Sequence, residues 1–252
     1  MRKKLFILFF VFVVSISGCG KSGKTGNSNI DSIGSNAVTN NWQNVGVITD
    51  TVVDVFKDST IQSNKITQVL YNQPVNIIDT KESWFKIETI DGTIGWIKSR
   101  YVSKNTSSVD KSYSGSKIIV TVKRAQVLSL YQNGALIKDV VMGTEFYVID
   151  SYQDWYEIAL PDDDTGWISE SGTIHMQSDQ QIGKTTADSF VATALKFKGT
   201  VYQTGGISSW GGIDSSGLTY MCSRINGVQL PRSVEMQYKS GEVVVVTKKN
   251  KP

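Results

Sequence analysis

The feature that most constrains the fold of this 252-residue chain is an internal duplication. Eight residues recur at a constant offset of 71 positions: Val75, Ile78, Asp79, Trp84, Ile87, Gly95, Trp96 and Ile97 return as Phe146, Ile149, Asp150, Trp155, Ile158, Gly166, Trp167 and Ile168. One spacing held over so many positions indicates a repeated structural unit. In each copy, polar turns separate short runs that alternate apolar and polar residues, which predicts half-buried strands. We therefore predict two all-β units, over residues 45–104 and 116–177, with a Ser-rich linker at 105–115.

Each copy resembles the bacterial SH3 domain, in which an early strand and a Gly-Trp-Ile strand close a small barrel. The copies carry that strand as Gly95-Trp96-Ile97 and Gly166-Trp167-Ile168. Aromatic faces suit contacts with sugars and peptides, so four tryptophans are candidate ligand-binding residues: Trp84, Trp96, Trp155 and Trp167. The alternative interpretation is that these rings fill the interiors of the two barrels.

The last part of the chain contains residues that typically begin and end short helices. Thr185 and Thr186 are candidate N-caps for a helix that Gly199 ends, and the apolar residues between them recur at helical spacing. Asp214 is a candidate N-cap for a second helix, which runs to Asn226-Gly227. Two elements are predicted after it: a helical turn from Leu230 to Gln237 and a buried strand from Val243 to Val246.

This segment, residues 184–252, resembles the first half of the NlpC/P60 family of cell-wall peptidases. The family pattern is roughly G-x-P-Y-x-W-G-G, then D-C-S-G-L, then L-P-R with a following Gln. Ten residues match it: Tyr202, Gly205, Gly206, Asp214, Ser216, Gly217, Leu218, Pro231, Arg232 and Gln237. Three depart from it, with Val201 in place of Pro, Thr204 in place of Trp, and Ser215 in place of the catalytic Cys.

The resemblance assigns site roles to Ser215, at the position of the nucleophile, to Tyr202, the motif tyrosine, and to Asp214, the helix N-cap. A thiol at the first turn of a helix gains thiolate character from the backbone N–H groups. A serine hydroxyl gains too little from that field and needs a general base, normally histidine. In the family, the histidine lies in the second half of the domain. The single histidine of this sequence, His175, precedes the segment. We therefore interpret His175 as a linker residue. We therefore expect a truncated domain without turnover, which is loosely packed, paired with something else, or the product of an interrupted reading frame.

Two other groups are weaker candidates for chemistry. Cys222 lies two helical turns after Ser215, so a displaced nucleophile is conceivable, although a core position is the simpler expectation. The acidic turn at Pro161-Asp162-Asp163-Asp164 is conceivable as a calcium site, but it lacks the spaced ligands of a known loop, and a solvated turn is the alternative. We expect no cofactor and no metal.

The start of the chain is typical of an exported lipoprotein. Arg2-Lys3-Lys4 precedes an apolar run from Leu5 to Ile16, which is too short to span a bilayer but suits a signal peptide over residues 1–18. Small residues before Cys19 resemble a lipobox, in which Cys19 becomes the lipidated first residue; an ordinary cleaved signal is the alternative. Residues 19–44, rich in Gly, Ser, Asn and Thr, read as a flexible tether.

Charge excludes one class of partner. The formal charge of +3 comes from 26 basic and 23 acidic residues, and removing the three basic residues of the signal leaves a neutral chain. No basic stripe with interleaved aromatic residues is present, so we expect no nucleic-acid partner. With Cys19 modified, Cys222 has no disulfide partner.

These observations predict a mainly β chain with an α+β end, consisting of two SH3-like β-barrels followed by a truncated papain-like α+β NlpC/P60 domain. The resemblance implies a relative of endopeptidases that cleave γ-D-glutamyl bonds of peptidoglycan stem peptides, here limited to binding peptidoglycan while the lipid on Cys19 anchors it to the outside of the membrane. Two alternatives remain open: an active NlpC/P60 cysteine peptidase whose sequence here is altered at Ser215 and cut at Pro252, and a surface adaptor that binds a protein partner.

Overall fold

The computed structural model describes residues 42–110, 116–177 and 186–241, all of which fall within one compact unit. The signal peptide, Cys19, most of the tether and the strand predicted at Val243 to Val246 lie outside the described residues. Within the described part of the chain, no helix is both long enough and apolar enough to cross a membrane. The described fold is mainly β, as predicted, with three helices after the sheets.

The first copy of the repeat forms a seven-stranded sheet with the order β3-β2-β6-β5-β4-β1-β7. Its strands are β1 (Val45–Ile48), β2 (Val52–Phe56), β3 (Lys65–Leu70), β4 (Pro74–Lys81), β5 (Trp84–Glu88), β6 (Ile94–Lys98) and β7 (Val102–Ser103). The strand pairs are antiparallel throughout, and β2 meets β6 at a single residue pair, Phe56 with Trp96.

The second copy repeats this order strand for strand, as β10-β9-β13-β12-β11-β8-β14. Its strands are β8 (Ser116–Val120), β9 (Arg124–Leu128), β10 (Leu136–Val141), β11 (Glu145–Tyr152), β12 (Trp155–Ala159), β13 (Thr165–Ser169) and β14 (Thr173–Gln177). Here β9 meets β13 at one pair, Leu128 with Trp167, the counterpart of the pair in the first sheet. The sequence duplication is therefore also a duplication of strand order.

Alternating burial along these strands builds one apolar cluster inside each copy. Val53, Val55 and Ile97 belong to the first cluster, and Val127, Phe146 and Ile168 belong to the second. Neither cluster contains a tryptophan. Trp96, Trp155 and Trp167 are only partly buried, because each lies one residue away from an inward-facing position of its strand, whereas Trp84 is buried outside the first cluster.

Three helices follow the second sheet: α1 (Ala187–Lys196), α2 (Ser215–Ile225) and α3 (Val234–Ser240). The predicted caps of the first two are confirmed, since the side chain of Thr186 accepts from Ser189 N and that of Asp214 accepts from Gly217 N. Ser233 caps α3 by accepting from Met236 N. A two-stranded ribbon, β15 (Ile207–Ser208) with β16 (Gly212–Ile213), leads into α2.

The helical segment packs on both sheets, so the alternative of a loosely packed region is wrong and the segment is paired with another part of the chain. Met221 is fully buried, and a Cβ atom built on Gly143 of the second sheet would lie well inside van der Waals contact with Met221 Cε. A single cluster joins side chains from both sheets and the helices: Leu70, Ile119, Val141, Met142, Phe197, Ile207, Ile213, Tyr220, Met221, Cys222 and Ile225. The two sheets thus supply the apolar surface that α2 needs.

The acidic turn also makes a structural contact instead of pointing only into solvent. Asp162 accepts a hydrogen bond from Ser103, and Asp163 Oδ2 accepts from Asn105 Nδ2 at 2.6 Å. These bonds tie the second sheet to the end of the first sheet and the linker. Among the described residues, no group of three metal-ligating side chains comes together at this turn or elsewhere.

Candidate functional site

Ser215 is the first residue of α2, and it is exposed. It follows directly on Asp214, the N-cap, so its hydroxyl stands at the end of the helix where backbone N–H groups are unpaired. The position matches that of a nucleophile at a helix start. Among the described residues, no hydrogen bond joins the Ser215 hydroxyl to a histidine or a carboxylate.

The side chain of Asp214 stabilises this turn through hydrogen bonds to both of its carboxylate oxygens. Its Oδ1 accepts from Gly217 N at 2.7 Å and from Ser216 Oγ at 3.1 Å, and its Oδ2 accepts from Gly205 N at 2.8 Å and from Arg232 Nη2 at 2.8 Å. Burial opposes ionisation of this carboxyl, but the hydrogen bonds from Arg232, Gly217 and Gly205 hold its pKa below the ordinary value. An ionised carboxylate with both oxygens engaged is a cap and not a general base.

Arg232 is the central residue of the site that sequence reasoning did not single out. Its side chain is 4% exposed, and besides Asp214 it reaches Ser216 Oγ at 2.6 Å and Gly206 O at 3.2 Å. Gln237 completes the arrangement by donating to Ser216 O at 3.0 Å. The sequence signal was present, since Arg232 and Gln237 both match the family pattern, but only the fold shows that they brace the start of α2.

Two glycines allow the ribbon and the helix to meet. A Cβ atom on Gly217 would collide with Gly206 O, and one on Gly206 would collide with Gly212 O. Because backbone passes against backbone at these points, a side chain would push the turn apart. Two of the three glycines in the matched pattern, Gly206 and Gly217, are therefore explained by close approach.

Tyr202 lies beside this turn with its ring in solvent. Its backbone forms an isolated parallel bridge to Ile213, the residue before Asp214, while the residue is 74% exposed. At this exposure the Tyr202 ring does not pack on α2. The ring is available to a ligand that approaches the start of α2.

His175 does not belong to a solvated linker, which corrects the sequence interpretation. It lies in β14, where it pairs with Ile118, and its ring stacks on Tyr156 with a centroid separation of 5.4 Å and an interplanar angle of 12°. No hydrogen bond joins it to Ser215 within the described residues. The structure thus places the single histidine of the sequence on the second sheet and not with Ser215.

Cys222 is fully buried in the cluster that joins the helices to the sheets. Burial raises the pKa of its thiol to about 11. At neutral pH it is a protonated core side chain, so the structural interpretation of Cys222 holds and the displaced nucleophile does not.

Side chains of the first sheet accept hydrogen bonds from the backbone of the site. Gln68 Oε1 of β3 accepts from Ile207 N at 3.0 Å, and Asp91 Oδ2, in the turn between β5 and β6, accepts from Arg232 N at 3.2 Å. Asp91 is held in turn by Thr89 Oγ1 and Thr93 Oγ1, each at 2.6 Å. The first sheet therefore positions the backbone on both sides of the helix start.

A half-buried charge cluster fixes the other end of α2 to the second sheet. Glu145 accepts from Arg224 Nη2 at 2.7 Å and from Lys117 Nζ at 3.0 Å. Burial alone would raise the pKa of Glu145, but the two cations hold it well below the ordinary value. Helix α2 is thus anchored electrostatically as well as by apolar packing.

The four candidate tryptophans have different surroundings. Trp84 is 4% exposed, because Phe56 contacts its edge and Lys98 Nζ lies 4.0 Å from its ring centroid. Trp96, Trp155 and Trp167 are partly exposed. The covered ring of Trp84 cannot serve as an open platform, so three candidates retain a face for a ligand.

Residues 51–103, which form most of the first sheet, match the family model of the bacterial SH3 domain. This chain contains a bacterial SH3 domain. The second sheet has the strand order of that SH3 domain.

A second comparison matches most of the length of this chain to one named protein. A Bacillus cereus protein named gamma-D-glutamyl-L-lysine dipeptidyl-peptidase is 24% identical over 192 residues, which cover 72% of this chain and 57% of that protein. This chain therefore spans little more than half the length of that relative.

Two solved structures share the fold. One is an NlpC/P60 family protein from Bacillus cereus, with a TM-score of 0.70 and 20% identity over 81% of this chain and 79% of the other. The second is an NlpC/P60 endopeptidase from Photobacterium damselae subsp. piscicida, with a TM-score of 0.54 and 17% identity over 77% of this chain and 45% of the other. This chain thus shares its fold with two NlpC/P60 proteins, and its residues 51–103 match the bacterial SH3 domain.

Proposed function

We propose that this protein is a cell-envelope relative of the peptidases that cut γ-D-glutamyl bonds in peptidoglycan stem peptides, and that it binds the wall without hydrolysing it. The observation that carries the proposal is the exposed hydroxyl of Ser215 at the head of an intact helix start. Everything that positions a nucleophile is present, including the cap at Asp214 and the brace at Arg232. The thiol is replaced by a group that requires a base.

The proposed binding role uses the two repeated units, and the second sheet is taken as a second SH3 domain. Its support is the identical strand order of the two sheets, together with partly exposed tryptophans on β6, β12 and β13. Indole faces bind sugar rings and peptide groups, which are the two components of peptidoglycan. A wall-binding role needs no catalytic group.

We further propose that lipid on Cys19 anchors the protein outside the membrane, with residues 20–44 as a tether. The support is the sequence alone: a basic start, an apolar run and small residues before Cys19. Labelling expressing cells with a fatty-acid analogue tests this. Label on the wild-type chain that disappears in C19A is the expected result, and label that persists in C19A rejects the anchor.

The wall-binding and catalytic parts of the proposal are tested separately. The purified chain from residue 19 onward is mixed with peptidoglycan sacculi and sedimented; recovery in the pellet is expected, and a chain that stays in the supernatant rejects wall binding. The same preparation is incubated with a muropeptide, and release of a dipeptide, followed by mass spectrometry, would overturn the claim of inactivity.

A further inference from the structure

The second sheet contains an open groove of about 490 Å³ between β9 and β13. Its lining includes Arg124, Gln126 and Leu128 from one strand, and Trp155, Ser169 and Ser171 from the other side. This groove lies on the second sheet, apart from the Ser215 turn that was described above.

The groove exists because β9 and β13 meet at one point only. Their register joins Leu128 to Trp167, whereas β9 pairs with β10 from Arg124 to Leu128 and β13 pairs with β12 along its whole length. In a strand, alternate backbone groups point to opposite edges. The free edges of β9 and β13 therefore present N–H and C=O groups to the groove, which is the arrangement that accepts an extended peptide.

The first sheet is an internal control, because its equivalent groove is closed by its own side chains. Matching registers pair Trp84 with Lys98 in the first sheet and Trp155 with Ser169 in the second. Ser169 thus stands where Lys98 covers the Trp84 ring at 4.0 Å. Leu128 likewise stands where Phe56 packs against the edge of that ring.

The charged side chain that lines the groove favours a negatively charged ligand. Arg124 is the only charged residue among those that line it, and its side chain is 41% exposed. Asp139, behind the groove, accepts a hydrogen bond from Arg124 Nη2 at 2.5 Å. A guanidinium carries five N–H donors, so this bond orients Arg124 and leaves others for a ligand carboxylate. Trp210, 65% exposed, packs against the guanidinium at 5.1 Å from its ring centroid.

We propose that the groove between β9 and β13 binds a short extended peptide that carries a carboxylate, with the peptide over the Trp155 ring and the carboxylate on Arg124. The proposal rests on the wall-binding function, since stem peptides of peptidoglycan have this chemistry. It goes further by assigning peptide binding to the second sheet and denying it to the first, where Lys98 occupies the equivalent space.

The test is a calorimetric titration of the purified chain with the tripeptide L-Ala-γ-D-Glu-L-Lys. Saturable binding with one site is expected. W155A should weaken it at least tenfold, and R124Q about tenfold, through loss of a charge-assisted hydrogen bond. Absence of binding to the wild-type chain, or equal binding by W155A, overturns the proposal.

Two matched variants distinguish a loss of binding at the groove from a loss of folding stability. S169K reproduces the first sheet's lysine at a partly exposed position and should abolish binding without lowering the melting temperature. K98S, at the equivalent position, should leave the affinity of the Trp155 site unchanged. Equal affinity of S169K and the wild-type chain contradicts the groove assignment.

Separate experiments test the chemistry of the ligand and the proposed wall-binding function. The tripeptide with its carboxylates amidated should bind at least tenfold more weakly, and equal binding rejects the role of Arg124. Competition by chitotetraose at the same site would reassign the groove to glycan. Sedimentation with sacculi reports on wall binding as a whole: failure of the wild-type chain there rejects the proposed function, whereas the peptide titration alone decides the groove.

Discussion

Arg232 Nη2 lies 2.8 Å from Asp214 Oδ2, and the two side chains are 4% and 13% exposed. Arg232 directly precedes Ser233, the N-cap of α3, and Asp214 is the N-cap of α2, so the pair connects the starts of the two helices. The same guanidinium also donates to Gly206 O. The helix start that presents Ser215 is therefore held from outside the helix, by an ion pair that water barely reaches.

Removing this brace should destabilise the protein strongly. In R232M the carboxylate of Asp214 stays buried without its cation, and breaking a buried pair from one side costs about 3–5 kcal/mol. Urea unfolding of the wild-type chain and R232M measures the difference. The matched control is K239A, because Lys239 pairs with Glu235 at an exposed site, where such pairs contribute about 0–1 kcal/mol. Equal losses in the two variants would contradict the role assigned to Arg232.

The cluster around Glu145 predicts a pH dependence. Its pKa is lower in the folded chain than in the unfolded chain, where it is about 4.3. Its stabilising contribution is therefore complete above that value and is lost as the pH falls toward the folded pKa.

E145Q removes the titrating group, so it should be less stable than the wild-type chain at pH 7, and the gap should narrow as the pH falls below about 4. Thermal melts from pH 7 to pH 3 measure this. E157Q, at a partly exposed position on β12, is the control and should follow the wild-type curve. A gap between wild type and E145Q that stays constant with pH would show that Glu145 is not the titrating group.

Local structure in this chain could be predicted from the sequence, whereas long-range packing could not. The caps at Thr186 and Asp214 are confirmed because a cap depends on residues within one turn. The strands follow from alternation, and their duplication follows from the offset of 71.

The contacts that hold the site together are of another kind. Arg232 meets Asp91 across 141 positions, and Arg224 meets Glu145 across 79. No local pattern encodes which groups so far apart in the sequence will meet, so Arg232 was only a motif match and the Arg224 cluster was missed. The expectation of a loose helical segment was wrong for the same reason: the sequence does not reveal that Met221 packs beside Gly143.

Gly143 is predicted to tolerate no side chain. Its φ of +91° disfavours any L-residue, and a Cβ atom would meet Met221 Cε. G143A should therefore lose about 2–4 kcal/mol of unfolding free energy, from backbone strain and overpacking together.

The double variant G143A/M221A distinguishes the two causes. Removing the methionine should cost about 2–5 kcal/mol alone, but in the double variant the collision is gone and the losses should add to less than their sum. The control is G92A, because Gly92 has a similar φ of +80° with nothing near its Cβ atom, so it reports the strain alone. Equal losses in G92A and G143A would show that Met221 does not oppose a side chain at residue 143.

Replacing Ser215 by cysteine should give a reactive thiol but not a peptidase. In S215C the thiol is exposed at a helix start, where the N–H groups favour the thiolate, so iodoacetamide at pH 7.5 should modify it. The internal control is Cys222, which is buried, has a pKa of about 11 and should react only after unfolding. In a C19S background, mass spectrometry should count one modified thiol in S215C and none in its parent.

The same S215C chain should release no dipeptide from a muropeptide, because the single histidine of the sequence is stacked on Tyr156 in β14 and none of the described residues places a base on the side chain of residue 215. The parent chain is the negative control for both assays. Dipeptide release by S215C would mean that a base other than His175 serves this position, and that one substitution separates the protein from catalysis. Modified thiol without release would place the missing function in the base, with the helix start itself still competent.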